Sequence, residues 1–557
     1  MTLSPSRLFF WLTVLLLGGP VLAGLIGVVA GALDHVPGLQ TAMPAGDVWG
    51  AVWSWPGIGR SVTLSFWTGL LAALISLASA TIIMAGWSGT RSFTRARQWL
   101  APFLAVPHAA AAFGIAFLIA PSGWIARAIS PWLTGWDRPP DLLILADPLG
   151  LAMVLGLVVK ELPFLLLMMI AALPQAKAAP SMAVVTALGY GCARGWLLAV
   201  FPAVYRQIRL PVYAVLAYSM SAVDAALILG PTTPPPIAIV ILRWAADPDL
   251  SLRALASAGA LVQLGLVLVA LVLWRLGEIA VAQLGHSLAE SGQRGSGRAA
   301  EIAAAKLAAT SGIFLIAGLS ALALWSLAGA WPFPAFLPET LSSRVWASHG
   351  ARLVETGAAT LFLAFAVVAV SLSLALGSLE AGPSRRFLTA LIYLPLIVPQ
   401  VTFLPGLQAA LLTIGLGSGA LPVGLMHLVF VLPYLLLVLA DPFNALDPRY
   451  RTIAAGLGLS PARQFLRLRL PLLLAPIAGA VAVGMAVSIG QYLPTLLAGG
   501  GRVPTLTTEA LALATGGDRR VIGAYGLAQA MAALAPFALA LALPRIVWRN
   551  RRAMFHG

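Results

Sequence analysis

The chain has 557 residues, of which 10% are charged, with a mean hydropathy of +0.93 and a formal net charge of +15. Soluble domains carry about 25% charged residues, so the charged side chains are too few to cover a globular surface, and the composition is that of a polytopic membrane protein. The basic excess lies in short patches between apolar runs, which excludes a nucleic-acid-binding domain; the lone Cys192 excludes an intrachain disulfide or a cysteine zinc cluster, and the six histidines form no HExxH pairing that would hold a metal.

An apolar run of about 20 residues matches a hydrocarbon core of about 30 Å. The first run, 8–31, is longer than the roughly 7–15-residue core of a signal peptide and is expected to stay as a helix. Within it, Gly27-x3-Gly31 suits close helix packing. Further spans are expected at 61–86, 100–120, 149–173, 207–230 and 252–274. The loop 121–148 carries Trp124, Trp132 and Trp136, rings that suit a membrane interface, and reads as an external amphipathic cap facing a delivery protein. Lys160-Glu161 falls near the middle of the fourth span. Charges there are costly, so the two either neutralise each other and find partners across helices, or form part of a substrate path or gate. Asp224 lies deep in the fifth span.

The stretch 275–306 is polar, of mixed charge and bears Gly and Ser; it reads as a linker between a first half, 1–274, and a second, 307–557. Spans in the second half are expected at 307–330, 354–378, 388–412, 421–440, 471–490 and 521–544. His427 aligns with neither Lys160 nor Glu161, whereas Gln491 lies near the counterpart position of Asp224, at offset 267. Lys and Arg gather in segments that are cytoplasmic when the N-terminus is inside, such as Arg91, Arg95 and Arg97, the pair Arg385-Arg386, and the tail from Arg545. The bias predicts a cytoplasmic linker and both termini inside.

The halves are related. "AVVTALGYGCARGWLLAVFP" at 183–202 aligns without a gap to "TIAAGLGLSPARQFLRLRLP" at 452–471, at offset 269. Leu188, Gly189, Ala193, Arg194, Leu197 and Pro202 match Leu457, Gly458, Ala462, Arg463, Leu466 and Pro471. Six spans per half give both repeats one orientation, hence an all-α fold of about twelve transmembrane helices in two parallel six-helix repeats. In the second copy Gly458 permits a sharp turn. Ser460-Pro461 is expected to start a short helix, with the Ser side chain as cap. Arg463 and Arg467 then share a face, four residues apart, and Pro471 opens the next span.

This duplicated loop resembles the signature of the membrane subunits of binding-protein-dependent ABC importers, which runs Glu-Ala-Ala-x3-Gly-x9-Ile-x-Leu-Pro. Gly189 with Phe201-Pro202, and Gly458 with Leu470-Pro471, take the motif positions. The family's Glu is Ala183 in one copy and Thr452 in the other; its Ala pair is Val184-Val185 and Ile453-Ala454. The layout is similar to fused two-half permeases of the ferric-iron and thiamine branch. The resemblance implies a type I importer permease fold in a bacterial inner membrane, with Gly189, Arg194, Pro202, Gly458, Arg463, Arg467 and Pro471 in two ATPase-docking loops. Lys160, Glu161, Asp224 and Gln491 are the candidates for the translocation path.

No lysine follows a glycine among Lys160, Lys177 and Lys306, so the chain has no P-loop. No catalytic residue and no cofactor of its own are expected. ATP and Mg would be bound by two copies of a separate cytoplasmic ATPase, and a soluble binding protein would deliver the substrate outside. Thiamine-like cations, iron, polyamines and oxyanions are all open as substrates. The alternative is an ion-coupled secondary transporter using Lys160, Glu161 and Asp224.

Overall fold

A computed structural model describes residues 5–33, 45–97, 100–295, 298–514 and 516–547. Its helices in the first half are α1 (Pro5–Ala32), α2 (Ala45–Ser54), α3 (Ile58–Trp87), α4 (Arg91–Ala96), α5 (Leu100–Ala105), α6 (His108–Ile119), α7 (Trp124–Ile129), α8 (Leu151–Ala172), α9 (Ala178–Ala187), α10 (Cys192–Gly195), α11 (Phe201–Ser221), α12 (Val223–Leu229), α13 (Ile237–Ala246) and α14 (Leu252–Glu290). The second half supplies α15 (Arg298–Ser326), α16 (Arg344–Glu380), α17 (Arg385–Ile397), α18 (Gln400–Thr413), α19 (Ala420–Asn444), α20 (Arg449–Gly456), α21 (Pro461–Gln464), α22 (Leu470–Leu472), α23 (Leu474–Gly490), α24 (Leu493–Gly499), α25 (Leu506–Ala514) and α26 (Arg519–Val547). Among the described residues, nine helices are long and apolar enough to cross a membrane, and three bent pairs bring the number to twelve. These coincide with the twelve expected spans.

The bends have local causes. Val106-Pro107 separates α5 from α6, and Val398-Pro399 separates α17 from α18, where the axis turns by 91°. A residue before proline is pushed out of the α region, and proline has no N–H to continue the ladder. A second break lacks proline. Ala222 (φ −64°, ψ 110°) ends α11 and Gln491 (φ −70°, ψ 111°) ends α23, the same geometry at offset 269.

The halves exchange their first helices. α1 packs on α16, α17 and α18 as well as on α14 of its own half, whereas α15 packs on α3 and α6 as well as on α26. Contact is close enough to require missing side chains: a Cβ on Gly24 would sit 2.3 Å from the Phe403 carbonyl oxygen, and one on Gly406 would sit 2.0 Å from that of Gly24. Gly27 meets the Gly406 backbone in the same seam, the packing role expected for it. Gly114 and Gly318 make the corresponding backbone approach between α6 and α15. Small residues that let backbones touch are the usual adhesive between helices in lipid, where apolar burial gives no drive.

The expected linker is mostly helical. Residues 275–290 continue α14 and 298–306 begin α15. At the opposite end of the bundle, Arg127 ties the 121–148 loop to the segment joining α15 to α16. It is 4% exposed and donates to the carbonyls of Pro332 (2.9 Å), Ala335 (3.0 Å), Trp331 (3.2 Å) and Ser122 (3.1 Å). Its guanidinium also lies 4.8 Å from the centre of the Trp331 ring.

Candidate docking loops and translocation cavity

Each repeated loop begins with a helix that ends on a left-handed glycine. Gly189 has φ +83° and Gly458 φ +77°. Gly458 N–H donates to the Ala455 carbonyl (2.9 Å) and Leu459 N–H to that of Ala454 (3.1 Å); Gly189 to Thr186 (2.9 Å) and Tyr190 to Val185 (3.0 Å) repeat the pair. These are the two bonds of a Schellman cap, which satisfies carbonyls at a helix end. The small triplets at 183–185 and 452–454 therefore lie in the last turns of α9 and α20. The glycine redirects the chain into the short helices α10 and α21.

Both short helices run into a π-helical turn, Trp196–Val200 and Phe465–Arg469, again at offset 269. Pro202 and Pro471 stand in the first turns of α11 and α22 directly beyond. The π turn modifies the expected α-helical spacing of Arg463 and Arg467, since Arg467 lies within it; both remain exposed. Ser460 takes the N-cap backbone conformation and its carbonyl accepts from Gln464 N–H (2.9 Å), but its side chain makes no capping bond, contrary to expectation. Arg469, not singled out from sequence, pairs with Glu380 and stacks on Phe443 at 5.0 Å.

The loops differ in one respect. The chain after α14 folds back onto the first. Gly191 N–H donates to the Arg294 carbonyl (3.0 Å), and the Arg194 guanidinium reaches Gln293 Oε1 (3.2 Å), Ser291 Oγ (3.4 Å) and the Leu288 carbonyl (3.5 Å). Its repeat partner Arg463 has no such bond among the described residues and is exposed.

The four candidate path residues are brought together. Lys160, Glu161, Asp224 and Gln491 line one cavity of about 1070 Å³ between the halves. Lys160 is fixed by backbone. Its ammonium donates to the carbonyls of Phe103 (3.2 Å), Leu104 (3.3 Å) and Val106 (2.5 Å), groups left free where Pro107 breaks the helix. Glu161 Oε1 is 3.2 Å from His108 Nε2, and Tyr218 OH donates to Asp224 Oδ1 at 3.2 Å. The His108 and Tyr218 rings lie 4.9 Å apart and join the two pairs. Opposite stand Tyr393, Tyr434 and Tyr492 of the second half. At the docking-loop end, Gln175 Nε2 donates to Asp441 (3.2 Å), and Arg385 lies 3.5 Å from the same carboxylate.

Sequence reading passed over His108 and the tyrosines. The available signal was the repeated Val-Pro break, which places His108 opposite Gln400 in the other half. The break geometry also pairs Gln491 with Ala222, so Asp224 corresponds to Leu493 and stands two residues from its expected counterpart. His427 is buried apart from these residues, bonded to Ser488 Oγ (2.9 Å) and Thr495 Oγ1 (2.8 Å).

Residues 369–549 match the family described as binding-protein-dependent transport system inner membrane component. The chain is 31% identical over 510 residues to the inner membrane ABC transporter permease protein YnjC of Escherichia coli (strain K12), covering 91% of this chain and 92% of that protein. The chain belongs to this permease family. It is thus a multi-pass inner-membrane permease component of an ABC transporter, a transport protein and not an enzyme. The family match contains the second copy of the repeated loop and Gln491, and the likeness to YnjC extends across both halves. No solved structure matches the chain.

Proposed function

We propose that this permease forms the path of an importer and couples it to two cytoplasmic ATPase subunits through the loops at Gly189 and Gly458. The observation that carries the reading is the repeated unit of glycine cap, short helix and π turn, one per half at a single offset. Two equivalent docking elements in one chain call for two ATPase copies, which bind the ATP and Mg that this chain has no P-loop to hold. An extracytoplasmic binding protein delivers the substrate to the face bearing the 121–148 loop. Both termini and the α14–α15 turn lie in the cytoplasm. Closure of the ATPase pair moves the docking helices and opens the cavity alternately to the two sides, with Glu161, Asp224 and Gln491 on the substrate's route and Lys160 holding the helix break.

The test is co-purification of the tagged chain with the ATPase from its own cell, together with uptake in intact cells. Two ATPase copies per chain, and uptake lost on ATP depletion but retained with an uncoupler, are expected. Uptake that survives ATP depletion and stops with the uncoupler would sink the proposal in favour of an ion-coupled carrier.

A further inference from the structure

The proposed path carries two buried carboxylates against one buried ammonium. Asp224 is 8% exposed and lines the cavity, yet no Lys, Arg or His pairs with it among the described residues. It accepts only from Tyr218 OH and the Ala225 N–H. Glu161, 5% exposed, has His108 as its ion partner, and histidine is charged only when protonated. Lys160 lies within electrostatic reach of both carboxylates but contacts neither, because its ammonium is held by three carbonyls at the Pro107 break, so the group keeps one net negative charge. The other cations lining the cavity lie toward its docking-loop end. Arg385 pairs there with Asp441, and Arg206 precedes the Ala222 break by roughly 24 Å of helix rise. A buried carboxylate without a counter-charge is among the most costly features a membrane protein can keep.

The walls around these carboxylates are aromatic. Tyr218 touches Asp224 and stacks near His108. Tyr434 and Tyr492, from the other half, come within electrostatic reach of Glu161 and Asp224 respectively. Phenol rings turn electron-rich faces toward a cation and supply apolar area for an organic body. An anion would meet two carboxylates and no free donor cation at that depth. Resting on the reading of this cavity as the path, we propose that it selects an organic cation, the positive centre seated between Glu161 and Asp224 and the body against Tyr218, Tyr434 and Tyr492. Oxyanions are then excluded as substrates.

The test reads the charge preference of the cavity without knowing the substrate. Ala486 is partly exposed on the cavity wall. The full-length chain carrying Cys192→Ser and Ala486→Cys is purified in detergent at low salt. It is treated with a trimethylammonium or a sulfonate ethyl-methanethiosulfonate reagent, each rate being normalised to that with a free small thiol. The cationic reagent is expected to react faster by about fourfold, the size one net negative charge (two carboxylates less the Lys160 ammonium) produces at a separation on the order of 10 Å even with water-like screening. Glu161→Gln combined with Asp224→Asn should abolish or reverse the preference, since the Lys160 ammonium then remains. Equal rates, or faster reaction of the anion, would overturn the proposal, and a preference that survives the double substitution would overturn its assignment to these residues. If neither reagent reaches the thiol, the cavity is not an accessible path, and the reading beneath the proposal fails instead.

Discussion

Replacing Gly458 by valine tests the docking loop at its most defined point. The residue has φ +77°, and a Cβ built there would meet nothing within 4 Å. The penalty is therefore backbone strain alone: about 1–2 kcal/mol for an L residue in the left-handed region, and more for a β-branched one. With about 1.4 kcal/mol per tenfold, a cost near 2 kcal/mol disfavours the cap about 30-fold against conformations that aim α21 elsewhere. The two capping bonds from Gly458 and Leu459 are lost with it. Expected outcomes are normal amounts of chain in the membrane fraction, ATPase affinity reduced by about 10–30-fold in a pull-down titration, and lost transport. Asparagine tolerates the left-handed region, so Gly458→Asn should stay near wild type. Wild-type coupling by the valine variant, or equal damage by both variants, would refute the reasoning. Gly189→Val should act in the same way in the first half, where φ is +83°.

Four further outcomes follow from other sites. Asp224→Asn should lower uptake at least about tenfold while ATPase association stays normal, since it removes a charge and keeps the shape; unchanged uptake would leave Asp224 a packing residue. Arg194→Ala should loosen residues 291–295 and speed limited proteolysis there, whereas Arg463→Ala should not, because of the two arginines Arg194 bonds that segment. A cysteine at exposed Ala289, with Cys192 replaced by serine, should resist an impermeant thiol reagent in intact cells and react after lysis; labelling in intact cells would invert the proposed topology. Arg127→Ala should remove four hydrogen bonds, leaving the Trp331 carbonyl without its donor, and lower stability in detergent by about 2–4 kcal/mol, read as a fall in thermal midpoint; an unchanged midpoint would show this staple to be dispensable.

The spans and the repeat were legible because both are written in local pattern: long apolar runs, and glycines and prolines at fixed spacing. The turns at Gly189 and Gly458 were legible for the same reason, since few residues other than glycine serve at a left-handed helix end. What escaped depends on contacts distant in sequence. Nothing around Lys160 announces that its partners are carbonyls more than fifty residues earlier, freed by Pro107. The π turns have no compositional mark, and "FLRLR" reads equally well as α-helix. Asp224 and Gln491 were paired by residue type, whereas the backbone breaks two residues away from that alignment. The polar stretch 275–306 reads as linker because charge and glycine suggest loop, yet it continues α14, where Glu278 turns inward to Arg209, Arg275 and Tyr205 while Glu290 faces solvent.

The exchange of first helices alters what counts as a part of this machine. In the gene, a half runs from α1 to α14 or from α15 to α26. In packing, α1 is attached to the second set through Gly24 and Gly406, and α15 to the first through Gly114 and Gly318. Rocking that keeps the two glycine seams closed would carry α1 along with α16–α18 and α15 along with α3 and α6, while α1 also bears on α14 and α15 on α26. Each half is thus held by a helix from the other. A chimera that replaces residues 1–274 wholesale would put a foreign partner on both glycine seams, whereas one that exchanges α1 together with α16–α18 would keep the Gly24–Gly406 seam matched.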